Sequence, residues 1–150
     1  MIALDSEVFG IYGADESPEV IAARVAVFPT GCVALEEADE NGDALLIGYL
    51  TTEKWSTLRE PALDENPTAS HAPDGRVLCI TTLVVGAQHQ RRGLGKRLLD
   101  HAIEIAMRER CEQIVLETAH AERFYQRHGF EKIGEREQRG IHLPIMRLRL

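Results

Sequence analysis

The chain has 150 residues, 44% of them apolar, and 24 acidic against 17 basic side chains give a formal net charge of −7. That content can bury one core, so residues 1–150 are expected to form a single domain, and no stretch approaches the ~20 apolar residues of a membrane span. The basic residues are interleaved with acids, which disfavours a nucleic-acid surface, and Cys32, Cys79 and Cys111 offer neither a metal spacing nor an even disulfide set.

In chain order, Asp5 and Glu7 stand where a signal peptide needs a basic end and an apolar run, so a reducing cytoplasm is the expected setting. Asp15 to Phe28 reads as a helix with Ser17 as N-cap and Pro18 in its first turn. Pro29-Thr30-Gly31 ends it, and Cys32 to Leu35 reads as a short strand. Glu36 to Asp43 is an acidic turn with the hairpin dipeptide Asn41-Gly42, followed by a strand from Ala44 to Thr51. Glu53 to Asp74 holds three prolines and Trp55 and reads as a long polar loop, a length usually tied to function or disorder.

Val77 to Val85 is a run of β-branched, apolar and small residues bounded by Gly75 and Gly86, the pattern of a strand buried on both faces. From Leu94 the apolar positions Leu94, Leu98, Leu99, Ala102, Ile103, Ile105 and Ala106 follow helical spacing. Gln113 to Thr118 is a further apolar strand, which makes Val77 to Thr118 a right-handed strand-helix-strand unit. Ala119 to His128 reads as a short helix capped by Gly129, and Phe130 to Gly134 and Ile141 to Leu150 as the last strands.

The loop from Gln88 to Gly95 is where chemistry concentrates. Gly93 and Gly95 allow tight turning and close approach of successive N–H groups to a ligand. Arg91, Arg92, Lys96 and Arg97 put cations at a helix N-terminus, where they oppose the helix dipole unless an anion sits there. The ligand to expect is a phosphate or pyrophosphate. A nucleotide P-loop would need Ser or Thr after Lys96, and Arg97 is there instead. A dinucleotide fingerprint would open directly after its strand and end on a third glycine; here several residues separate Val85 from Gly93 and that position is Leu98, although Glu117 could mimic the ribose-binding acid. The charge distribution agrees with an anionic ligand: residues 76–150 hold fourteen bases and nine acids, residues 1–75 three bases and fifteen acids.

Gln90-Arg91-Arg92-Gly93-Leu94-Gly95, between an apolar strand and an amphipathic helix, resembles the acetyl-CoA loop of the GNAT superfamily of N-acetyltransferases, whose pattern is Q/R-x-x-G-x-G/A. AERFYQRHGFEKIG, Ala121 to Gly134, resembles the helix, the tyrosine and the Gly-Phe turn that close the same fold. The two cover about Val77 to Gly134, in the right order. Within the superfamily, FYQRHGF and the segment His71 to Arg76, HAPDGR, are similar to the arylalkylamine N-acetyltransferase group.

The resemblance implies an α/β (α+β) architecture, a mixed central sheet with helices on both faces. The family's first strand has no counterpart here, which leaves an open edge, an edge covered by a partner, or a start further upstream. It implies transfer of the acetyl group of acetyl-CoA, as co-substrate, to the primary amine of a small molecule by direct attack in a ternary complex, with an arylalkylamine as one option. An acetyl-CoA-binding sensor or partner module without turnover is the alternative. No metal, nucleic-acid or membrane partner is implied, and a homodimer is left open.

Residue by residue, the resemblance makes Tyr125 the acid that protonates the coenzyme A sulfur. It pairs the backbone of Leu83, Val84 and Val85 with pantetheine, and cradles the pyrophosphate with Gln90, Arg91, Arg92, Gly93, Leu94, Gly95 and Lys96. Thr118 stands where the family often has Asn. Trp55 and Leu58 would wall off an aromatic amine. The two histidines of the arylalkylamine enzymes match Cys79 and Thr81 here. Cys79 reads as a buried small residue and Thr81 as a holder of water; His71, Glu36, Glu117 or a chain of waters remain as routes for the proton. His120, His128 and His142 read as surface residues or caps.

Overall fold

In the computed structural model, which describes residues 18–59 and 66–150, the run Val77–Val85 forms the third strand of a six-stranded sheet. Nine consecutive residues with few polar groups can bury both faces, as an interior strand must. The elements are α1 (Pro18–Val27), β1 (Val33–Ala38), β2 (Ala44–Trp55), the single turn α2 (Pro67–Ser70), β3 (Val77–Val85), α3 (Leu94–Arg108), β4 (Gln113–Glu117), α4 (Glu122–Arg127), β5 (Glu131–Gln138) and β6 (Ile141–Arg149). The spatial order is β1-β2-β3-β4-β6-β5, with β3 and β4 parallel and every other pair antiparallel, so the sheet is mixed as expected. Among the described residues no helix is long and apolar enough to cross a membrane.

The predicted cap Ser17 and the question of a strand ahead of the first helix lie outside the described residues. Within them, several boundaries shift. The stretch Glu53–Trp55, expected to open a loop, instead completes β2, which pairs with β3 from Gly48↔Val85 to Trp55↔Val77. Its polar groups are satisfied inside the fold. Trp55 Nε1 donates to Glu53 Oε1 at 2.7 Å, Ser70 Oγ donates to Glu53 Oε2 at 2.9 Å, and Lys54 Nζ donates to the Pro73 carbonyl. At the other end of this hairpin β1 runs on to Ala38, and the Asp39 carboxylate accepts from the Asn41 and Asp43 amides to close the turn. The helix expected from Ala119 starts at Glu122, because Thr118 Oγ1 accepts the Ala121 amide at 2.9 Å and holds the intervening residues in a turn. β5 continues to Gln138, joined to β6 by Arg139-Gly140, both with positive φ, the twist-matched two-residue hairpin turn.

α3 presents Leu94, Leu98, Leu99, Ala102, Ile105 and Ala106 to one face of the sheet, where they meet Leu50, Leu78, Ile80, Ile114, Leu116 and Met146. Tyr125 and Phe130 extend this core beneath α4. A second cluster, Trp55, Val77, Cys79, Val115 and Ile145, fills alternate positions of the same strands, as the period of two requires.

Two irregularities part β3 from its neighbour β4. Thr51 pairs with Thr82 and Thr52 with Ile80, which leaves Thr81 as an extra residue on β3, a bulge that bends and twists the strand. The parallel pairing with β4 covers only Val77–Cys79 against Gln113–Val115. Beyond Cys79 the two strands diverge.

The turn into β3 is tight. A Cβ on Gly75 would lie 2.4 Å from the Trp55 carbonyl oxygen and 2.6 Å from its carbon, both backbone atoms that cannot step aside. Gly75→Ala is therefore expected to cost about 1–3 kcal/mol of stability, read as a lower urea midpoint at unchanged slope.

Candidate active site

Where β3 and β4 separate, a cleft of about 570 Å³ opens. One wall is β3 from Ile80 to Val85; among the described residues no strand pairs with that edge beyond Cys79. Its peptide groups therefore face the cleft as a strand edge faces an extended ligand.

The end of β3 leads through a single 3₁₀ turn, Ala87–His89, into the glycine loop. Gln90 Nε2 donates to the Val85 carbonyl at 3.1 Å and ties the loop to the strand. Arg91 at φ 64° and Gly93 at φ 76° turn the backbone through the left-handed region, and α3 starts at once with Leu94. The first turn of α3 has no acidic residue and no side-chain cap. Its leading amides have no partner within the helix, and the dipole adds partial positive charge there. A Cβ placed on Gly93 would meet nothing within 4 Å, so the space beside Gly93 is open, whereas one on Gly95 would touch the Phe124 ring at 3.5 Å. The donor set is that of an anion cradle, and it fits a diphosphate.

Of the residues assigned to the cofactor from sequence, Leu83, Val84, Val85, Gln90, Arg91, Gly93, Leu94, Gly95, Lys96 and Thr118 all line this one cleft. Arg92 does not. Its Nη1 donates to Glu37 Oε2 at 3.2 Å and lies 3.0 Å from His89 Nδ1, so it faces β1 and anchors the loop from behind. The Arg92 hydrogen bond and charge hold the Glu37 carboxyl below the usual carboxylate range. Lys96 stays at the mouth, with Nζ 2.9 Å from Asp100.

The opposite wall comes from the end of β4, from α4 and from the β5–β6 hairpin. Tyr125 is 5% exposed, with its ring edge-on to Phe124 and Phe130 at 5.0 and 5.4 Å between centroids. It thus belongs to the core and to the cleft lining together. Burial pushes its phenol well above the ordinary tyrosine range, which keeps it protonated.

The residues considered for proton removal are scattered. Thr81 lines the cleft with its hydroxyl 2.8 Å from that of Thr51. Glu117 lines it too, clamped by Arg136. Cys79 is buried in the second cluster, and burial raises its thiol far above the ordinary value, so it is no nucleophile. Glu36 is on β1, two strands away from the wall formed by β3. His71 is beside Phe28, ring stacked at 4.8 Å, and its Nδ1 accepts the Lys54 amide at 3.1 Å. His120 and His128 reach the cleft, His128 with Nδ1 2.7 Å from the Phe124 carbonyl, whereas His142 sits exposed beside Glu135. Trp55 and Leu58, expected to wall the acceptor, are not among the lining residues; Trp55 is held by Glu53 and covered by the Arg59 guanidinium at 4.0 Å. The lining residues missed from sequence include Arg136, Gln138, Ile141 and Leu143 on the β5–β6 hairpin. The alternation of β5 and β6 was the only signal for them, and it does not say which strand lies next to β4.

A family model described as the Acetyltransferase (GNAT) family matches residues 3–130. The chain belongs to this family. A search of curated proteins gave no match. Among solved structures, the loading GNATL domain of CurA from Lyngbya majuscula superposes with a TM-score of 0.82 at 17% identity, over 99% of this chain and 90% of that one. A GNAT-like decarboxylase, GphF, in complex with isobutyryl-CoA gives 0.76 at 16% identity, over 99% and 92%. A chain of the NatC complex bound to Gag peptide and CoA gives 0.74 at 18%, over 99% and 89%. At such identities the likeness to these GNAT structures is one of fold.

For this GNAT chain the placement of His71 has a measurable consequence. Burial lowers its pKa below the ordinary histidine value, so the unfolded chain binds the proton first as pH falls. Stability is then full above the unfolded value near 6.5 and declines as pH drops toward the folded one. His71→Ala should flatten that acid limb in urea titrations and, by leaving the Lys54 amide without its acceptor, cost about 1–3 kcal/mol at neutral pH.

Proposed function

We propose that this GNAT protein is an acetyl-CoA-dependent N-acetyltransferase that modifies the primary amine of a small molecule by direct attack in a ternary complex. The observation that carries the reading is one cleft lined both by an amide cradle for an anion and by a buried, protonated phenol. Bound acetyl-CoA supplies an activated acetyl thioester.

The chain's own residues do the rest. Amides from Arg91 to Lys96 bind the diphosphate, with Gln90 holding the loop to β3. The unpaired edge of β3 at Leu83, Val84 and Val85 takes the pantetheine arm as an added strand, an interaction indifferent to side chain. Thr118 borders the same channel, its hydroxyl already accepting the Ala121 amide. Tyr125 donates its proton as the carbon–sulfur bond breaks. A phenol with a raised pKa is a weak acid in water, but the same desolvated cleft makes the departing thiolate a stronger base, so the transfer stays matched. The amine must arrive neutral, and Thr81, whose hydroxyl is 2.8 Å from that of Thr51, is the residue we assign to hold the water that carries its proton away.

A second reading, a cofactor-binding module without turnover, draws support from Cys79 and Thr81, which stand where the resembled arylalkylamine enzymes have histidines. Thiol release from acetyl-CoA across amines, amino acids and peptides separates the two: tight cofactor binding with no release from any acceptor selects the module. Tyr125→Phe should lower kcat by about 10²–10⁴-fold while calorimetry shows coenzyme A affinity retained. Turnover unchanged across pH would remove Tyr125 from the chemistry.

A further inference from the structure

The cleft contains a charged group that acetyl transfer to a simple amine does not use. Glu117 closes β4, and Arg136 on β5 reaches it across β6, where Arg136 is paired with Leu143. Arg136 Nε donates to Glu117 Oε2 at 2.9 Å, Nη2 donates to Oε1, and Nη1 donates to Gln138 Oε1. The side chains of Arg136 and Glu117 are 16% and 17% exposed, and both residues line the cleft that Thr81 and Tyr125 also line. Ile141 and Leu143 add apolar surface beside them.

From this geometry we propose that the acceptor is a free α-amino acid, its ammonium held by Glu117 and its carboxylate by Arg136 and Gln138. The proposal rests on the acetyl-transfer reading and narrows it.

Charge balance favours such an acceptor. The Glu117–Arg136 pair carries no net charge, so a bare monoamine cation is attracted by one partner and repelled by the other. A zwitterion set antiparallel to the pair gains at both ends, which is electrostatic complementarity used for discrimination. The hydrogen-bonding capacity agrees. A guanidinium has five N–H donors, and Arg136 directs three of them at Glu117 and Gln138, which leaves two for a ligand among the described residues. Stability alone does not account for the pair, since a largely buried ion pair generally gains little over apolar residues of the same size. Trp55 and Leu58, the residues that would have favoured an arylalkylamine, lie outside the cleft lining.

The test is thiol release from acetyl-CoA with matched acceptors: L-leucine against 3-methylbutylamine, and L-phenylalanine against phenethylamine. The amino acids should be preferred by about 10- to 100-fold in kcat/KM. Arg136→Gln should bring that ratio close to one and Arg136→Lys leave it intermediate, an effect on specificity that a merely structural role would not produce. Should Arg136→Gln fail to fold, Gln138→Ala is expected to shrink the ratio instead. Amines used as well as their amino acids, or a folded Arg136→Gln with an unchanged ratio, would overturn the proposal while leaving acetyl transfer standing. If no acceptor releases thiol, calorimetry of L-leucine with the coenzyme A-saturated protein decides: binding lost in Arg136→Gln supports the amino-acid site and sinks acetyl transfer, and absence of binding sinks the site.

Discussion

The structure depends on the short partnership between β3 and β4. Parallel strands of this kind normally run side by side for most of their length, yet here the pairing covers Val77–Cys79 and then stops. The bulge at Thr81 twists β3 away, and the Thr118 amide at the far end of β4 is engaged by the Pro144 carbonyl rather than by β3. The separation exposes a row of peptide groups in the middle of the sheet, and the glycine loop, the Tyr125 ring and the Glu117–Arg136 pair all line the one cleft it opens. A sheet edge on the outside of a protein invites aggregation; one turned into a cleft becomes a binding surface.

Electrostatics then divides that channel. At the α3 end, unpartnered amides and a rim of Arg91 and Lys96 make a positive site without burying any charge. The loop that carries it is stiffened from outside, through Arg92 and His89 on Glu37 and through Gln90 on Val85. At the α4 end the setting is dry, and Tyr125 is held neutral by desolvation alone. On the lining of the same cleft the Glu117–Arg136 pair supplies two opposite charges that largely cancel at a distance.

The same sheet shows how polar sequence misleads. Glu53, Lys54 and Trp55 lie in a stretch rich in prolines and acids, and by composition they open a loop. In the fold they are buried, at 2%, 7% and 2% exposure. Glu53 takes the indole and Ser70 protons, while Lys54 reaches the Pro73 carbonyl and lies 3.7 Å from Glu109. Partners that come from elsewhere in the chain turn a loop-like composition into an interior strand. For the same reason Trp55, an aromatic beside a long loop, is buried in the second cluster and outside the lining of the cleft.

What the sequence by itself determined was local. The run Val77–Val85, the period change at Leu94 and the Gly93/Gly95 spacing specify strand, loop and helix because side-chain packing and backbone freedom act over a few residues. The anion cradle comes from the same stretch, since helix amides and glycines need no distant partner to point at a ligand. Only the tertiary structure decided which distant side chains share the cleft. Arg92 sits beside Arg91 in the chain yet faces away because Glu37 is across from it. Arg136 is nineteen residues from Glu117 and two strands over, and they meet because the sheet order is β4-β6-β5. Periodicity can tell which face of a strand a residue occupies, but the neighbour of that strand is set by how the whole sheet closes its hydrogen bonds and buries its apolar faces.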